Sequence, residues 1–337
     1  IFWLTCLVGY PRTSAPEPYF VYISVHSFGL VRPERGIFFK SGIYQTSVKQ
    51  SIERNISSLL TAINRASNSN GSLDLSSVNM TSNAKSSLNN LWESFHFKCD
   101  YTSYSENCLT AVNGYEVRGI SVTLTNTDAS YKGELNKELT ISVSKDGLLT
   151  GVHMALSNNV YNYIVNNGKD VTDTRRRMEI LKFVEDFRSY YDEKDLNALR
   201  NVYSDDALII TGKVIMRKNM GNDQASLRPE IVYSRQNKEQ YLNNLARTFR
   251  NNKYIKVRFD KIKVVRHPAK KGYYAVTLHQ NWQSSNYSDD GYVFLLWQFP
   301  EDGGNPVIHV RTWQPEMVGN QHLPEREVFN ENDFFIP

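Results

Sequence analysis

The stretch EILKFVEDFRSYYDEKDLNALRNVYSDDALIITG, residues 179–212, decides the fold. Apolar residues in its first part have the spacing of the buried face of a helix. They are Ile180, Leu181, Val184, Phe187 and Tyr191. This spacing predicts a long helix over Thr174–Asp192, followed by a short helix over Asp195–Tyr203 and a strand over Ala207–Thr211.

Downstream, the pattern predicts one more helix and a set of long strands. The helix covers Asn237–Arg250, after a polar excursion over Gly212–Pro229. The strands are Tyr254–Arg266, Tyr273–Gln283, Gly291–Phe299 and Val307–Gln314, and Gly-containing turns join them. Long antiparallel strands after a helix predict a strongly curved sheet that wraps around helices. Such a sheet and its helices together form a cone with a pocket at one end.

Upstream, the pattern is two helices followed by strands. Apolar spacing predicts helices over Thr46–Asn64 and Ser82–Ser94. Strand-like runs follow at Phe95–Cys99, Tyr115–Leu124, Glu138–Ser144 and Leu148–Leu156. Because helices do not separate these strands, the fold class is α+β rather than a βαβ alternation.

Length and composition agree with about two globular domains. The chain has 337 residues, 22% of them charged and 40% hydrophobic. We expect a leader at 1–45, a smaller N-terminal α+β domain at 46–157 and a connection at 158–173. A C-terminal domain at 174–318 and a tail at 319–337 complete the chain. Residues 11–45 show no clear period, so we expect them to be irregular.

Two short runs carry a resemblance to a known family. They are Tyr191–Asp195 at the end of the long helix and Val202–Ala207 before the inward strand. In this pattern, residues 172–318 resemble the NTF2-like (SnoaL-like) superfamily. A narrower similarity, to uncharacterised extracytoplasmic proteins of gut bacteria, rests on the runs DDALIITGKV, KYIKVRFDKI and HVRTWQPE. The resemblance implies a C-terminal NTF2-like cone and brings no established activity. Residues 46–156 have a similar order of elements, and whether they are a diverged second copy stays open.

The last strands hold the candidate site residues. Strict alternation places His309, Arg311 and Trp313 on one face of the last strand, with His279 on the neighbouring strand. With Trp282 and Trp297, this row could line a pocket for an anionic or aromatic ligand, with Arg311 as the charge partner. The alternative is an outer face whose Arg and Trp side chains stack in a domain or homodimer interface.

Two functions follow from these alternatives. The first is a non-catalytic binding or interaction protein with a small-molecule ligand or a protein partner. The second is an enzyme of the isomerase or hydrolase type, in which His279 or His309 is the base and Arg311 stabilises charge. Asp205 and Asp206 could supply a base, although a Ser-Asp-Asp turn more often caps an element. No sequence motif for a metal, a phosphate-binding loop or a nucleophile elbow is present, so we expect no cofactor.

Several features bear on the compartment and partners. The apolar run Ile1–Tyr10 fits a signal or anchor remnant, or an arm packed on the body. Cys99 and Cys108 flank a polar segment and form either a disulfide, which requires an oxidising compartment, or two thiols. We therefore expect an extracytoplasmic protein. A net charge of +4 does not call for nucleic acid, and no stretch has the roughly 20 apolar residues that a membrane-spanning helix needs.

Overall fold

A computed structural model describes residues 36–101, 103–111, 113–125, 127–131, 133–155, 174–219, 226–300 and 304–334. The apolar run at 1–10 and the connection at 158–173 lie outside these residues. Residues 34–337 belong to one compact unit whose core is built on two six-stranded sheets. Each sheet is packed against helices, so the fold is α+β, as the order of predicted elements indicated.

The N-terminal half packs two helices on a six-stranded sheet. The helices are α1 (Thr46–Ser69) and α2 (Ser82–Ser94). The strands are β1 (Gly36–Ser41), β2 (Phe97–Cys99), β3 (Ser103–Ala111), β4 (Gly114–Leu124), β5 (Asn136–Ser144) and β6 (Leu149–Met154). Their order is β1-β3-β4-β5-β6, and β2 also pairs with β4. The apolar stripe of α1, including Ile52, Ile56 and Leu59, is completely buried against this sheet.

Strand β1 lies within the segment that was expected to be irregular. It pairs in parallel with β3, and its Ile37 and Phe39 side chains are buried in the core of the N-terminal half. The run GIFFKS is too short for its alternation to stand out from the apolar residues around it. Its partner β3 was not predicted either, because most of its residues are small or polar.

The C-terminal half wraps a second sheet around a long helix. The helices are α3 (Thr174–Asp192), α4 (Leu196–Val202) and α5 (Lys238–Asn251). The strands are β7 (Tyr203–Asn219), β8 (Ser226–Gln236), β9 (Ile255–Arg266), β10 (Tyr273–Ser284), β11 (Ser288–Gln298) and β12 (Val307–Pro315). Their order is β8-β7-β12-β11-β10-β9, with β7 and β12 parallel. We call the side of this sheet that packs on α3 and α5 the inner face, and the other side the outer face.

Local sequence explains where the shorter helices begin. The Asp195 carboxylate accepts a hydrogen bond from the Ala198 backbone N–H at 2.8 Å and so caps α4. Asn237 and Gln240 bond reciprocally to each other's backbone N–H groups, which is a capping box at the start of α5. Both caps satisfy backbone donors that have no partner within the helix.

The expected polar excursion at Gly212–Pro229 contributes to a β-hairpin instead. β7 continues from the predicted strand to Asn219 and pairs with β8 from Ile209↔Gln236 to Asn219↔Ser226. Many of its side chains are exposed, including Met216 and Leu227. A two-stranded ribbon without a buried face carries little hydrophobic periodicity, so the pattern did not indicate it.

Helix α3 lies between the two sheets and presents a different face to each. Its apolar face is buried in the core of the C-terminal half. Its charged face meets the N-terminal sheet, where Arg118 on β4 binds Glu185 at 2.7 Å. Directly after the helix ends, Glu193 binds His153 on β6 at 2.6 Å. Asp192, at the end of α3, also binds Lys256 at 2.6 Å. Buried ion pairs therefore connect the N-terminal sheet to the helix at the centre of the C-terminal half.

The disulfide alternative for Cys99 and Cys108 is wrong, because the two residues are not bonded to each other. Cys99 pairs with Val122 of β4, whereas Cys108 pairs with Val117. Five positions along one strand correspond to about 15 Å, far more than the roughly 7 Å that a disulfide spans. The segment between them forms β3 rather than a simple hairpin loop.

The tail crosses the outer face of the C-terminal sheet. It contains the short strands β13 (Met317–Val318) and β14 (Gln321–His322), then a single 3₁₀ turn at Glu325–Glu327. Phe329 and Phe334 pack against a small apolar cluster on that face. The inner and outer faces therefore have separate apolar clusters.

Candidate functional site

A bulge in β12 divides the predicted row of His309, Arg311 and Trp313. Arg311 is opposite Leu295 and Trp313 is opposite Val293, both of which belong to the inner face. Between Leu296 and Trp297 the register shifts, so His309 is an extra residue without an opposite partner.

His309 consequently lies on the outer side of the sheet. Its Nε2 is 2.8 Å from Gln298 Oε1, and its ring centroid is 5.5 Å from that of Tyr273. Tyr273 packs against the outer apolar cluster. The expectation that His309 shares a face with Arg311 is wrong, because the bulge reverses the alternation between them.

His279 also belongs to the outer face. Its Nδ1 lies 3.0 Å from Asp260 Oδ1, its Nε2 lies 3.5 Å from Glu316 Oε2, and its ring is 5.6 Å from the Tyr292 ring. The alternation of β10 places it opposite to Val276 and Leu278, which are buried in the inner core. The role of His279 or His309 as a base beside Arg311 is therefore corrected: both histidines are separated from it by the sheet.

The predicted tryptophans occupy three different environments on the inner side. Trp282 is half-buried, with its ring 5.9 Å from that of Tyr191. Trp313 is half-buried beside Arg311. Trp297 is 1% exposed and packs between Phe183 and Phe299, with ring centroids at 5.9 and 6.1 Å. Trp297 is therefore a core side chain, whereas Trp282 and Trp313 lie closer to solvent.

Arg311 is enclosed by tyrosines. Arg311 is only 5% exposed, and its guanidinium carbon lies 5.2 Å from the centre of the Tyr241 ring. The Tyr191 hydroxyl is 2.9 Å from that of Tyr241 and 3.1 Å from that of Tyr203. Burial raises the pKa of Tyr203 and Tyr241. The phenols of Tyr203 and Tyr241 therefore stay neutral at physiological pH and can donate hydrogen bonds.

Sequence reasoning missed this tyrosine group. Tyr191 was recognised only as part of the apolar stripe of α3, and Tyr203 and Tyr241 were not singled out. They come from three elements, α3, β7 and α5, which only the folded chain brings together. The sequence nevertheless contained a signal for polar neighbours, because the hydroxyl group of a Tyr on a buried helical face needs a polar partner.

Asp289 and Gly291 border the same region on β11. Asp289 is opposite Trp282 in the sheet, and its carboxylate accepts a hydrogen bond from the Tyr287 hydroxyl at 2.8 Å. Burial raises the pKa of Asp289, and Arg311 acts in the opposite direction. Gly291 leaves room for Trp313, since a Cβ atom there would lie 2.9 Å from the indole nitrogen.

Three polar atoms in this region are buried and lack a hydrogen-bond partner among the described residues. They are Arg311 Nε, Trp313 Nε1 and Asp289 Oδ1. Buried polar groups are nearly always paired in folded proteins, because an unpaired group costs about 1–3 kcal/mol. Two donors and one acceptor thus remain in this region for a bound molecule. Arg311 also forms no ion pair with a carboxylate in the part of the chain that the structure describes.

The other candidates have structural partners. Asp205 binds Lys238 at 2.8 Å, and Asp206 accepts a hydrogen bond from Ser204 and lies 3.5 Å from His309. Over the described ranges, no group of three His, Cys, Asp or Glu residues is placed to hold a metal ion. Nor does any helix there have the length and apolar character needed to cross a bilayer.

Comparisons with known proteins give matches among solved structures only. No family model and no curated protein matches the chain. Bdellovibrio bacteriovorus Bd1075 is similar at 16% identity and a TM-score of 0.32, over 52% of this chain and about half, 49%, of that one. An NTF2-like protein of unknown function from Pseudomonas putida has 12% identity and a TM-score of 0.31, over 42% and 87%. A structure from Shewanella frigidimarina, named as a candidate ketosteroid isomerase, has 10% identity and a TM-score of 0.27, over 40% and 92%.

The topology of the C-terminal half agrees with the resemblance of its sequence. A long helix and a short helix precede two strands, a further helix and four strands. The resulting sheet curls around α3, and strand β12 returns to pair in parallel with β7. The segment from α3 to β12 thus has the order of elements and the curled sheet that the sequence resemblance to NTF2-like proteins implies.

Proposed function

We propose that the protein binds a small anionic molecule on the inner face of its NTF2-like domain, with Arg311 as the charge partner. The observation that carries this proposal is the environment of Arg311. Its guanidinium is buried against the Tyr241 ring, its Nε has no partner among the described residues, and it forms no ion pair with a carboxylate among them. Burying a charge without a counter-charge is costly, and an anionic ligand would offset that cost.

The surrounding side chains favour a flat, partly apolar ligand. Trp282 and Trp313 supply aromatic surface, while Asp289 Oδ1 can accept a hydrogen bond from the ligand. A guanidinium can bind both oxygens of a carboxylate in one plane. An aromatic carboxylate that also carries a hydroxyl or amine donor therefore matches the chemistry of this region.

The test compares a charged probe with its neutral isostere. Benzoate and benzamide are titrated into the wild type, Arg311→Met and the control Arg326→Met by calorimetry and thermal shift. The Arg326 side chain is 85% exposed, so its replacement leaves the inner face intact. We expect benzoate to bind wild type and Arg326→Met alike, and Arg311→Met at least about tenfold more weakly, a loss of about 1.4 kcal/mol. Benzamide should not distinguish the three proteins.

Equal benzoate affinity in Arg311→Met and wild type would refute the proposal, as would the absence of benzoate binding by wild type. A variant with a smaller change separates a loss of binding from a loss of folding. Trp313→Phe keeps an aromatic ring but removes the indole N–H, and it should weaken benzoate binding while the thermal midpoint stays near that of wild type.

A catalytic form of the same site is favoured by Asp289. Burial raises the pKa of this carboxyl, as is typical of groups that transfer protons. In this candidate function, Asp289 moves a proton on the ligand that Arg311 holds, as an isomerase requires. The test is exchange of the methylene protons of phenylpyruvate in D₂O, measured by NMR. Wild type should accelerate this exchange, whereas Asp289→Asn should bind phenylpyruvate without accelerating it. Equal exchange rates with and without the wild-type protein would contradict the catalytic function and leave ligand binding as the proposed function.

We also propose an extracytoplasmic location, which rests on the apolar run Ile1–Tyr10. The cysteines no longer support it, because Cys99 and Cys108 are not bonded to each other. Fractionation of bacteria that express the chain with a C-terminal tag tests the location. The wild type should leave the cytoplasm, and Leu4→Arg/Leu7→Arg should remain there. Identical cytoplasmic retention of both would overturn it.

A further inference from the structure

A groove on the surface of the N-terminal half has the size of a ligand site. It lies between α1 and residues 72–77, and its volume is about 360 Å³, within the range of about 300–1,000 Å³ that small-molecule sites occupy. Two of its lining side chains, Ala62 and Ala66, are small and buried, at 8% and 4% exposure. Because these side chains end at the β-carbon, they leave the space above them to a ligand. None of the described residues that line the groove belongs to the region around Arg311.

Three hydroxyl groups of α1 line this groove with their protons already in use. Ser58, Thr61 and Ser69 each donate to the backbone carbonyl four residues earlier, at 3.0, 2.8 and 3.0 Å. A hydroxyl group has one proton and two lone pairs, so each of these oxygens keeps the capacity to accept a hydrogen bond from a ligand. A ligand that matches them must therefore bring hydrogen-bond donors, such as hydroxyl groups of its own.

Two arginines of α1 line the same groove and supply positive charge. Arg54 and Arg65 are exposed, and they lie about three helical turns apart on nearly the same side of α1. That spacing is about 16 Å along the helix axis. Among the described residues, neither guanidinium has an ion-pair or hydrogen-bond partner. Both can therefore bind carboxylates that are spaced along an elongated ligand, each guanidinium holding two oxygens in one plane.

The opposite side of the groove carries a carboxylate and two further hydroxyl groups. Asp74 lies there with Ser72 and Ser77, and all three are exposed. The Asp74 Oδ1 accepts a hydrogen bond from the Ser76 N–H at 3.0 Å, and Ser76 lowers the pKa of Asp74, so this carboxyl is charged at neutral pH. A carboxylate accepts hydrogen bonds from the hydroxyl groups of a ligand, but it repels a ligand whose whole surface is anionic. The groove therefore matches a ligand with many O–H donors and few charges better than a dense polyanion.

We propose that this groove binds an acidic oligosaccharide, whose hydroxyl groups donate to the α1 hydroxyls and to Asp74 and whose carboxylates bind Arg54 and Arg65. Sugars combine many O–H donors with few charges, and uronic acids add one carboxylate to each ring. An oligosaccharide fits better than a single sugar, because the two arginines lie about 16 Å apart along α1. This inference is independent of the proposed function, because the groove and Arg311 belong to different halves of the chain.

Calorimetry with probes of defined charge tests the proposal. The acidic probes are trigalacturonate and trimannuronate. The methyl ester of trigalacturonate keeps the hydroxyl groups without the charge, and tricarballylate keeps carboxylates without the hydroxyl groups. We expect at least one acidic trisaccharide to bind the wild type, and both controls to bind at least about tenfold more weakly. Absence of binding by both acidic trisaccharides overturns the proposal, as does equal affinity for either control.

Matched arginine variants locate the binding. Arg54→Gln/Arg65→Gln and the control Arg247→Gln/Arg250→Gln each remove two positive charges from exposed positions of a helix, the control from α5. The first variant should bind the trisaccharide at least about tenfold more weakly than the wild type, whereas the control should bind it like the wild type. Equal losses in the two variants would indicate unspecific attraction to positive charge and overturn the proposal.

A matched pair of threonine variants tests the hydroxyl groups. Thr61→Val removes an acceptor from the groove but keeps the shape of the side chain, and it should weaken trisaccharide binding about threefold or more. The control is Thr248→Val on α5, where the hydroxyl also donates to the carbonyl four residues earlier, at 3.2 Å. This control should bind like the wild type, and far-ultraviolet circular dichroism verifies that both variants keep their helices. Full affinity in Thr61→Val overturns the proposal.

Discussion

Arg118 on β4 holds Glu185 on α3 in a two-pronged ion pair, with Nη1 to Oε2 at 2.7 Å and Nη2 to Oε1 at 2.8 Å. The Glu185 side chain is 2% exposed, so its charge has little access to water. Arg118 also binds Glu116 at 2.9 Å. The N-terminal sheet thus supplies a cation to the charged face of α3. The two halves are consequently coupled through electrostatics as well as through packing.

Replacing Arg118 by alanine should strongly destabilise the protein. The substitution removes the cation that binds both carboxylate oxygens of the buried Glu185, which costs about 3–5 kcal/mol in free energy of unfolding. Urea denaturation followed by tryptophan fluorescence measures the change. The control is Arg217→Ala, whose ion pair with Glu230 is exposed, at 64% and 45%, and should contribute about 0–1 kcal/mol. Similar losses in both variants would contradict a special role for the buried pair.

The pair of His153 and Glu193 should make stability depend on pH. Burial disfavours the charge on His153, but the adjacent Glu193 outweighs burial and raises the pKa of His153 to about 8. Burial raises the pKa of Glu193, so both groups hold protons more tightly in the folded state. Asp186 and Lys182 also act on His153, in opposite directions.

The sign follows from proton binding. Between about pH 6.5 and 8 the folded chain retains a proton that the unfolded chain releases, so stability is fully present below this window and falls through it, by roughly 2 kcal/mol. Urea denaturation at several pH values measures the fall. His153→Asn should flatten the profile over this window, whereas His322→Asn, at a side chain that is 71% exposed, should not. A wild-type profile that rises with pH there would contradict this account.

Gly291→Ala should displace Trp313. A Cβ atom at this position would lie 2.3 Å from the Gln314 carbonyl oxygen and 2.9 Å from the indole, so the strand or the ring must move. We expect a loss of about 1–3 kcal/mol in free energy of unfolding, together with a shift in tryptophan fluorescence. The control Gly71→Ala meets only the end of the Ser69 side chain at 3.0 Å and should change neither quantity appreciably. Unchanged fluorescence in Gly291→Ala would show that Trp313 is not seated there.

The thiol of Cys108 should be inert in the folded protein. Burial raises the pKa of the Cys108 thiol to about 12, so the reactive thiolate is scarce near neutral pH. Ellman's reagent should modify Cys108 only after denaturation, with Cys108→Ser as the control that removes this reaction. Cys108→Ser should also leave unchanged any difference in intact mass between reduced and unreduced protein. A difference of two hydrogens that disappears in Cys108→Ser would indicate a disulfide at this residue.

The regular helices were predictable because their signals are local. The bounds predicted for Ser82–Ser94 and Thr174–Asp192 agree with those of α2 and α3. Each has an apolar stripe at helical spacing, and α2 has a local start signal, since the Thr81 hydroxyl accepts a bond from the Ala84 N–H. The long strands of the C-terminal sheet were found for the same reason, since inward residues alternate with outward ones. Strand β1 and the β7–β8 ribbon were missed because their stability depends on partners distant in sequence.

For the candidate site, the sequence identified Arg311, Trp282 and Trp313 as a group, and they share the inner face. It could not locate the bulge at His309, because a bulge depends on how two strands pair and leaves no mark on the alternation itself. Tyr203 and Tyr241 were not recognised because they reach Arg311 from other elements.

The sequence by itself determined the helical stripes, the alternation of the last strands and hence the order of helices and strands in the C-terminal half, since these patterns are set by neighbours three or four positions apart, or two apart in a strand. Only the tertiary structure decided which faces those patterns present. It buried Arg311 among phenols, moved His279 and His309 to the opposite side, and laid Phe334 on Phe294. The physical reason is that burial, strand register and ion pairing between α3 and the N-terminal sheet arise from contacts across the whole chain.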